Sequence, residues 1–136
     1  MTPDEIVTIA RETLGTPFRH QGRVLGVGLD CAGVALYVAN RLGMDTVDLV
    51  GYGPTPANGQ LEEMLNAQPC LVEATERQPG DILLMRIFQE PQHLAILAGD
   101  TVIHSYANVG SCCEHDLDDR WASRIVKIYR FVGVES

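Results

Sequence analysis

The chain has 136 residues, with 10 lysines and arginines against 18 aspartates and glutamates, for a formal net charge of −8. That length suits a single domain over residues 1–136, and 46% hydrophobic with 21% charged residues is a globular balance. A negative chain with scattered basic residues (Arg11, Arg19, Arg23, Arg41) argues against a nucleic-acid partner. Apolar runs as short as 82–85 and 94–98 argue against membrane insertion, which needs about 20 residues.

Residues 2–14 read as a helix. Thr2 and Glu5 form a Thr-x-x-Glu capping box, Pro3 takes the first helical position, and Asp4 and Glu5 put negative charge in the first turn. Ile6, Ile9, Ala10, Thr13 and Leu14 form its apolar stripe, and Gly15 its stop. The same acidic start is unlike a signal peptide, so the expectation is a protein made in the cytoplasm and staying there unless something carries it out. The four cysteines (Cys31, Cys70, Cys112, Cys113) are then expected to be free thiols.

A glycine-punctuated loop over 16–29 leads into a second helix, 30–42, with Gly43 as its stop. Residues 34–39 are almost all apolar, which places this helix in the middle of the domain. Residues 51–59 (GYGPTPANG) are turn-formers, and a short helix is expected over 60–67. The second half predicts strands at 82–87, 93–98, 101–106 and 124–132, with Pro79-Gly80-Asp81 opening the first and Gly99-Asp100 as a hairpin turn. Helices first and antiparallel strands afterwards give an α+β domain with a sheet of about five strands.

Two places can carry chemistry. Asp30-Cys31 lies where the glycine loop meets the buried helix, and a thiol at a helix N-terminus is expected to have a lowered pKa. On its own, a cysteine there reads first as a small core residue. The second place is the hairpin. With Gly99-Asp100 as a two-residue turn, paired residues sum to 199 and His93, Ala95, His104 and Tyr106 share one face. His93 and His104 are then diagonal neighbours, close enough for one imidazole to orient the other. Two unrelated strand histidines remain the plain alternative. Cys112, Cys113, His104 and His115 make a poor metal set because adjacent cysteines rarely share one ion, so no metal or other cofactor is expected. The cysteine pair is read as a loop or strand edge, His115 as a surface side chain, and 114–119 as a solvated acidic turn.

The blocks TPFRHQGRVLGVGLDCAGVALYVANRLG, QPGDILLM and HLAILAGDTVIHSY occur in that order over 16–106. Together they resemble the NlpC-type cell-wall cysteine peptidases, papain-like enzymes that cut peptidoglycan stem peptides. The likeness is nearest to the short members found among phage and prophage tail proteins. It implies Cys31 as nucleophile, His93 as general base and His104 as the orienting third residue, with Cys31 and His93 in hydrogen-bond reach. It also implies that Asp30 helps bind the amino end of the substrate, the bond cut being that from D-glutamate to a diamino acid. Phe18 stands where many members carry a tyrosine near the oxyanion, so a second oxyanion donor would come from His20 or Gln21, beside the Cys31 N–H. The implied partners are a stem peptide and phage tail proteins, with action at the cell wall from a virion tail. The resemblance leaves two other readings open: a tail component with the same fold and little activity, and a thiol acyltransferase.

Overall fold

A computed structural model of the chain describes residues 1–48, 59–87 and 90–135. In chain order these form α1 (Pro3–Arg11), β1 (Arg23–Val24), β2 (Gly28–Leu29), α2 (Cys31–Arg41), α3 (Gln60–Asn66), β3 (Leu71–Ala74), β4 (Ile82–Ile87), β5 (Glu90–Leu97), β6 (Thr101–Tyr106), β7 (Ser111–Asp116), α4 (Asp119–Ala122) and β8 (Ile125–Phe131). The turn-former segment 51–58 lies outside the described residues.

The helix starts follow from their caps. The Thr2 side chain accepts from Glu5 N–H at 3.2 Å, and Pro3 opens α1. The helix ends at Arg11, earlier than the sequence pattern suggests. Leu14 therefore falls beyond it and is 40% exposed, while Val7 joins Ile6, Ala10 and Thr13 in the interior. On α2 the expected apolar run is buried, from Ala32 to Ala39 with Tyr37 as the partly exposed exception.

Six strands form one antiparallel sheet in the order β3-β8-β4-β5-β6-β7, and β1 and β2 form a separate small hairpin. The count exceeds the expected five because β3 and β7 lack the continuous buried run that marks β4 and β6. β3 reads LVEA, and β7 reads SCCEHD at the sheet edge. The stretch expected as a solvated turn is instead the end of β7 followed by α4, whose N-cap is the Asp118 side chain.

Alternation along the strands sorts the interior into two layers. Ile82, Leu84, Leu94, Ile96 and Ile103 face α1, α2 and α3. Leu83, Met85, Ala95, Leu97 and Val102 face the other way, where Leu117, Trp121 and Ile125 cover them. At the mouth of β4 the Asp81 carboxylate is 1% exposed and takes two bonds from the Arg130 guanidinium, at 2.9 and 2.8 Å, which ties the turn to β8.

The first turn of α2 presses directly on the loop before it. A Cβ on Gly33 would stand 2.3 Å from the Gly22 carbonyl oxygen, which is backbone and cannot rotate away. Gly33→Ala is therefore expected to destabilise the domain, by about 1–3 kcal/mol of overpacking, even though alanine is the better helix former. Urea unfolding of the two proteins measures this; equal or greater stability of the variant would refute the close contact.

Candidate active site

The Asp30 side chain anchors the N-terminus of α2. One carboxylate oxygen accepts from Gly33 N–H at 2.8 Å and from the Arg23 guanidinium at 2.8 Å, and the other accepts from Gln21 N–H at 3.0 Å. Arg23 reaches on to Asp48 at 2.8 Å. Gln21 adopts a left-handed backbone (φ 58°), which turns the 19–22 segment back onto Asp30. Phe18 lies in a bridge with Leu29 beside this turn and is half-buried, while His20 is exposed on it. Cys31, the first residue of α2, is thus held from both sides of the loop.

The strands on which the histidines lie have the expected register. Ile96 pairs with Ile103 and Leu97 with Val102, each pair summing to 199. Those two pairs are the β5–β6 ladder, whereas β6 pairs with β7 over its whole length. Past Ile96 the N-terminus of α2 packs at this opening: the Ser105 hydroxyl of β6 donates to the Leu29 carbonyl at 2.6 Å, and the Leu94 N–H of β5 is directed at the Cys31 sulfur. The thiol therefore lies against the β5 backbone one residue from His93.

His93 and His104 share one face, as the register requires, and it is the Trp121 face of the sheet. Their rings meet at 2.5 Å, His93 Nε2 to His104 Nδ1. The line continues: His104 Nε2 lies 2.8 Å from His115 Nε2, and His115 Nδ1 lies 2.9 Å from the Asp116 carbonyl oxygen. Tyr106 stacks on His104 with centroids 5.3 Å apart, and the Trp121 indole stands 4.9 to 6.4 Å from all three imidazoles. The Arg124 guanidinium covers that indole at 4.4 Å. His93 is 6% exposed and His104 is fully buried.

Burial decides the protonation states. It pushes the Cys31 thiol up to about 12, with the Asp30 carboxylate adding to the rise and the Leu94 and Ala32 N–H groups opposing it. The helix N-terminus is outweighed, which corrects the lowered thiol pKa expected from sequence. Burial likewise lowers His93 to about 4, with Arg124 and His115 pushing the same way, and His104 to about 2. Among the described residues no hydrogen bond joins the thiol to the His93 ring. The resting site holds a neutral thiol beside a neutral imidazole.

Of the residues singled out in the sequence, Asp30 and Gln21 meet through a hydrogen bond, and His93 and His104 meet through their rings. The residue sequence reasoning missed is His115, which is half-buried and forms the third ring in the line. Its signal exists only once β7 is placed: His115 pairs with Val102, two residues from His104 on the neighbouring strand. Trp121 was missed because it comes from a short helix with no sequence periodicity. Cys112 and Cys113 lie on edge strand β7, Cys112 buried in the helix-side core. Among the described residues no group of three or more His, Cys, Asp or Glu side chains is placed to hold a metal ion. No helix of those residues is long and apolar enough to cross a membrane.

No family model matches the sequence, and no curated protein matches it significantly. Solved structures do match. The NlpC/p60 domain of the peptidoglycan hydrolase SagA is 22% identical over 94% of this chain and 97% of that one, with a TM-score of 0.64. An NlpC/P60 family protein from Bacillus cereus is 19% identical over 97% of this chain, with a TM-score of 0.70; this chain spans 41% of its length. The peptidoglycan hydrolase RipB from Mycobacterium tuberculosis is 18% identical over 96% of this chain and 64% of its own, at 0.59. The fold is the α+β, papain-like fold of NlpC/p60 domains.

A lowered histidine pKa has a consequence for stability. Below about 6.5 the unfolded chain takes up protons that folded His93 and His104 refuse until about 4 or lower, so the stability these rings contribute is whole above about pH 6.5 and lost as the pH falls towards 4. Each ring should cost on the order of 1.4 kcal/mol per pH unit in that window. Urea unfolding across the window, compared with His104→Asn, should show a shallower slope in the variant; equal slopes would mean that the rings titrate normally.

Proposed function

We propose that the chain is a cysteine peptidase that hydrolyses an amide bond in peptidoglycan stem peptides through an acyl-enzyme on Cys31. One observation carries this reading: the thiol at the N-terminus of α2 is held against the Leu94 N–H, next to a histidine whose ring is hydrogen-bonded to a second one. A nucleophile, a base and an orienting group thus come from three separate elements. Two of the solved structures that share the fold are described as peptidoglycan hydrolases, which supports the choice of substrate.

With a thiol this hard to ionise, the nucleophile is not a standing thiolate. His93 takes the Sγ proton as sulfur attacks the scissile carbonyl carbon, and the charge on the carbonyl oxygen is held by the Cys31 backbone N–H with a second donor from His20 or Gln21. His93 then gives that proton to the departing amine. Water, deprotonated by His93, cleaves the thioester and restores the thiol. His104 keeps the His93 ring in place. Gln21 spends its backbone N–H on Asp30, so a donor from Gln21 to the oxyanion would be its side-chain amide. Asp30, already bonded to Gln21, Arg23 and Gly33, would meet the substrate's amine as part of that network.

The finer parts of the reading are the bond from D-glutamate to the diamino acid, and work at the cell wall as part of a phage or prophage tail. Both rest on the sequence resemblance. Phe18 favours a second reading, a tail component with the same fold and little activity, since its ring lacks the hydroxyl that would serve the oxyanion.

Digestion of purified muropeptides followed by mass spectrometry tests the proposal. Stem peptides should gain water and split into two fragments. Cys31→Ala and His93→Ala should abolish this, His104→Ala should leave residual turnover, and Phe18→Tyr should retain or raise the rate. Removing one oxyanion donor is worth about 10²–10³ in rate, which bounds the gain from the tyrosine. Cleavage that survives Cys31→Ala would end the cysteine mechanism. A wild-type protein that cuts nothing would leave the second reading, and transfer of the acyl group to an added amine in place of water would make the protein an acyltransferase.

A further inference from the structure

The three histidines end on a group that can only accept. A carbonyl has no proton, so His115, 2.9 Å from the Asp116 oxygen, carries its hydrogen on Nδ1. With the ring neutral, His115 Nε2 is a bare lone pair and accepts from His104 Nε2–H at 2.8 Å. His104 Nδ1 is then bare and accepts from His93 Nε2–H. His93 is left with a bare Nδ1. Each assignment forces the next, and reversing the line requires an additional proton on His115.

We propose that His115 is a positioning residue: through His104 it holds His93 in the tautomer whose Nδ1 is free to take the Cys31 proton. This rests on the reading of Cys31 and His93 as nucleophile and base. His104 cannot set that tautomer by itself. It is fully buried, with the Tyr106 ring stacked on it and the Trp121 ring against its edge, each 5.3 Å away. Water does not reach its Nε2–H, and the acceptor that does is His115. Without that acceptor, His104 is better off with its proton on Nδ1. That nitrogen faces His93 Nε2, so the His93 proton moves to Nδ1, where it blocks the base. His115 is itself held on β7 by its register opposite Val102, by its bond to the Asp116 carbonyl and by the Trp121 ring 4.9 Å away.

The test uses the whole chain labelled with ¹⁵N-histidine at about pH 8, where free imidazole is neutral. Long-range proton–nitrogen correlation reads each ring's tautomer without substrate. Wild type should show hydrogen on Nε2 of His93 and His104 and on Nδ1 of His115. His115→Leu should move the His93 and His104 protons to Nδ1, and should lower kcat on stem peptides about 10- to 100-fold with KM within about two-fold. His115→Gln, whose amide oxygen can accept from His104, should restore both tautomers and most of kcat; a merely structural role predicts no such rescue. Should the leucine variant fail to fold, His115→Ala is read in the same way. The inference is overturned if His93 keeps its Nε2–H in the leucine or alanine variant, or if glutamine does no better than leucine. Because the tautomers are read without turnover, a wild type that cuts no stem peptide would remove the functional reading while the tautomer shift was still observed. Unmoved tautomers in an active enzyme would remove this inference alone.

Discussion

The register of the β5–β6 hairpin is the constraint on which the site depends. Because side chains alternate with period two, a slip of one residue would turn His93 or His104 into the helix-side core and place Leu94 or Ile103 against Trp121. The Gly99-Asp100 turn fixes that register from one end, and the separate burial of Ile96 and Leu97 on opposite faces fixes it from the other. Beyond those pairs the β5–β6 ladder does not continue, and the Leu94 N–H there acts on the Cys31 thiol of α2, opposing the rise that burial gives it. A helix packed on one face of the sheet thereby meets imidazoles standing on the other.

Dehydration sets the chemical character of the site. The same burial raises the thiol and lowers the histidines, and both shifts favour the neutral forms. The polar atoms are kept there by hydrogen bonds to one another rather than by charge. Asp30 is the exception, and its charge is met by Arg23 and two backbone N–H groups. At His93 and His104 burial keeps charge out until acid well below the ordinary histidine range, or chemistry, brings a proton.

Much of this was legible in the sequence, for reasons that vary along the chain. Caps wrote the starts of α1 and α2, and a stop wrote the end of α2: Thr2 and Asp30 bond the N–H groups they should, and Gly43 sits just past the second helix with φ 74°, whereas α1 ends at Arg11, short of Gly15. Strands β4 and β6 fall on the predicted residues because each is a short run, buried over four consecutive residues, that starts directly after a turn signal (Pro79-Gly80-Asp81, Gly99-Asp100). Strand β7 was not legible. Its residues Cys113 to Asp116 alternate nothing apolar, and their place is set by β6, by the Arg11–Glu114 ion pair and by the Thr101 hydroxyl on Glu114. With β7 went His115. The thiol's pKa was misjudged for a related reason: the helix dipole can be read from position, but the depth of burial can be read only from what packs around it.

Trp121 is the chain's one tryptophan, and it stands against His93, His104, His115 and Tyr106 at once. An indole is quenched by a neighbouring imidazolium far more than by neutral imidazole. The molecule therefore carries a built-in optical reporter: any proton that reaches one of those rings, by acid, by substrate or by a trapped acyl-enzyme, dims the one indole in the protein. Light from a single residue can thus follow the charge state of the whole line, with no label added.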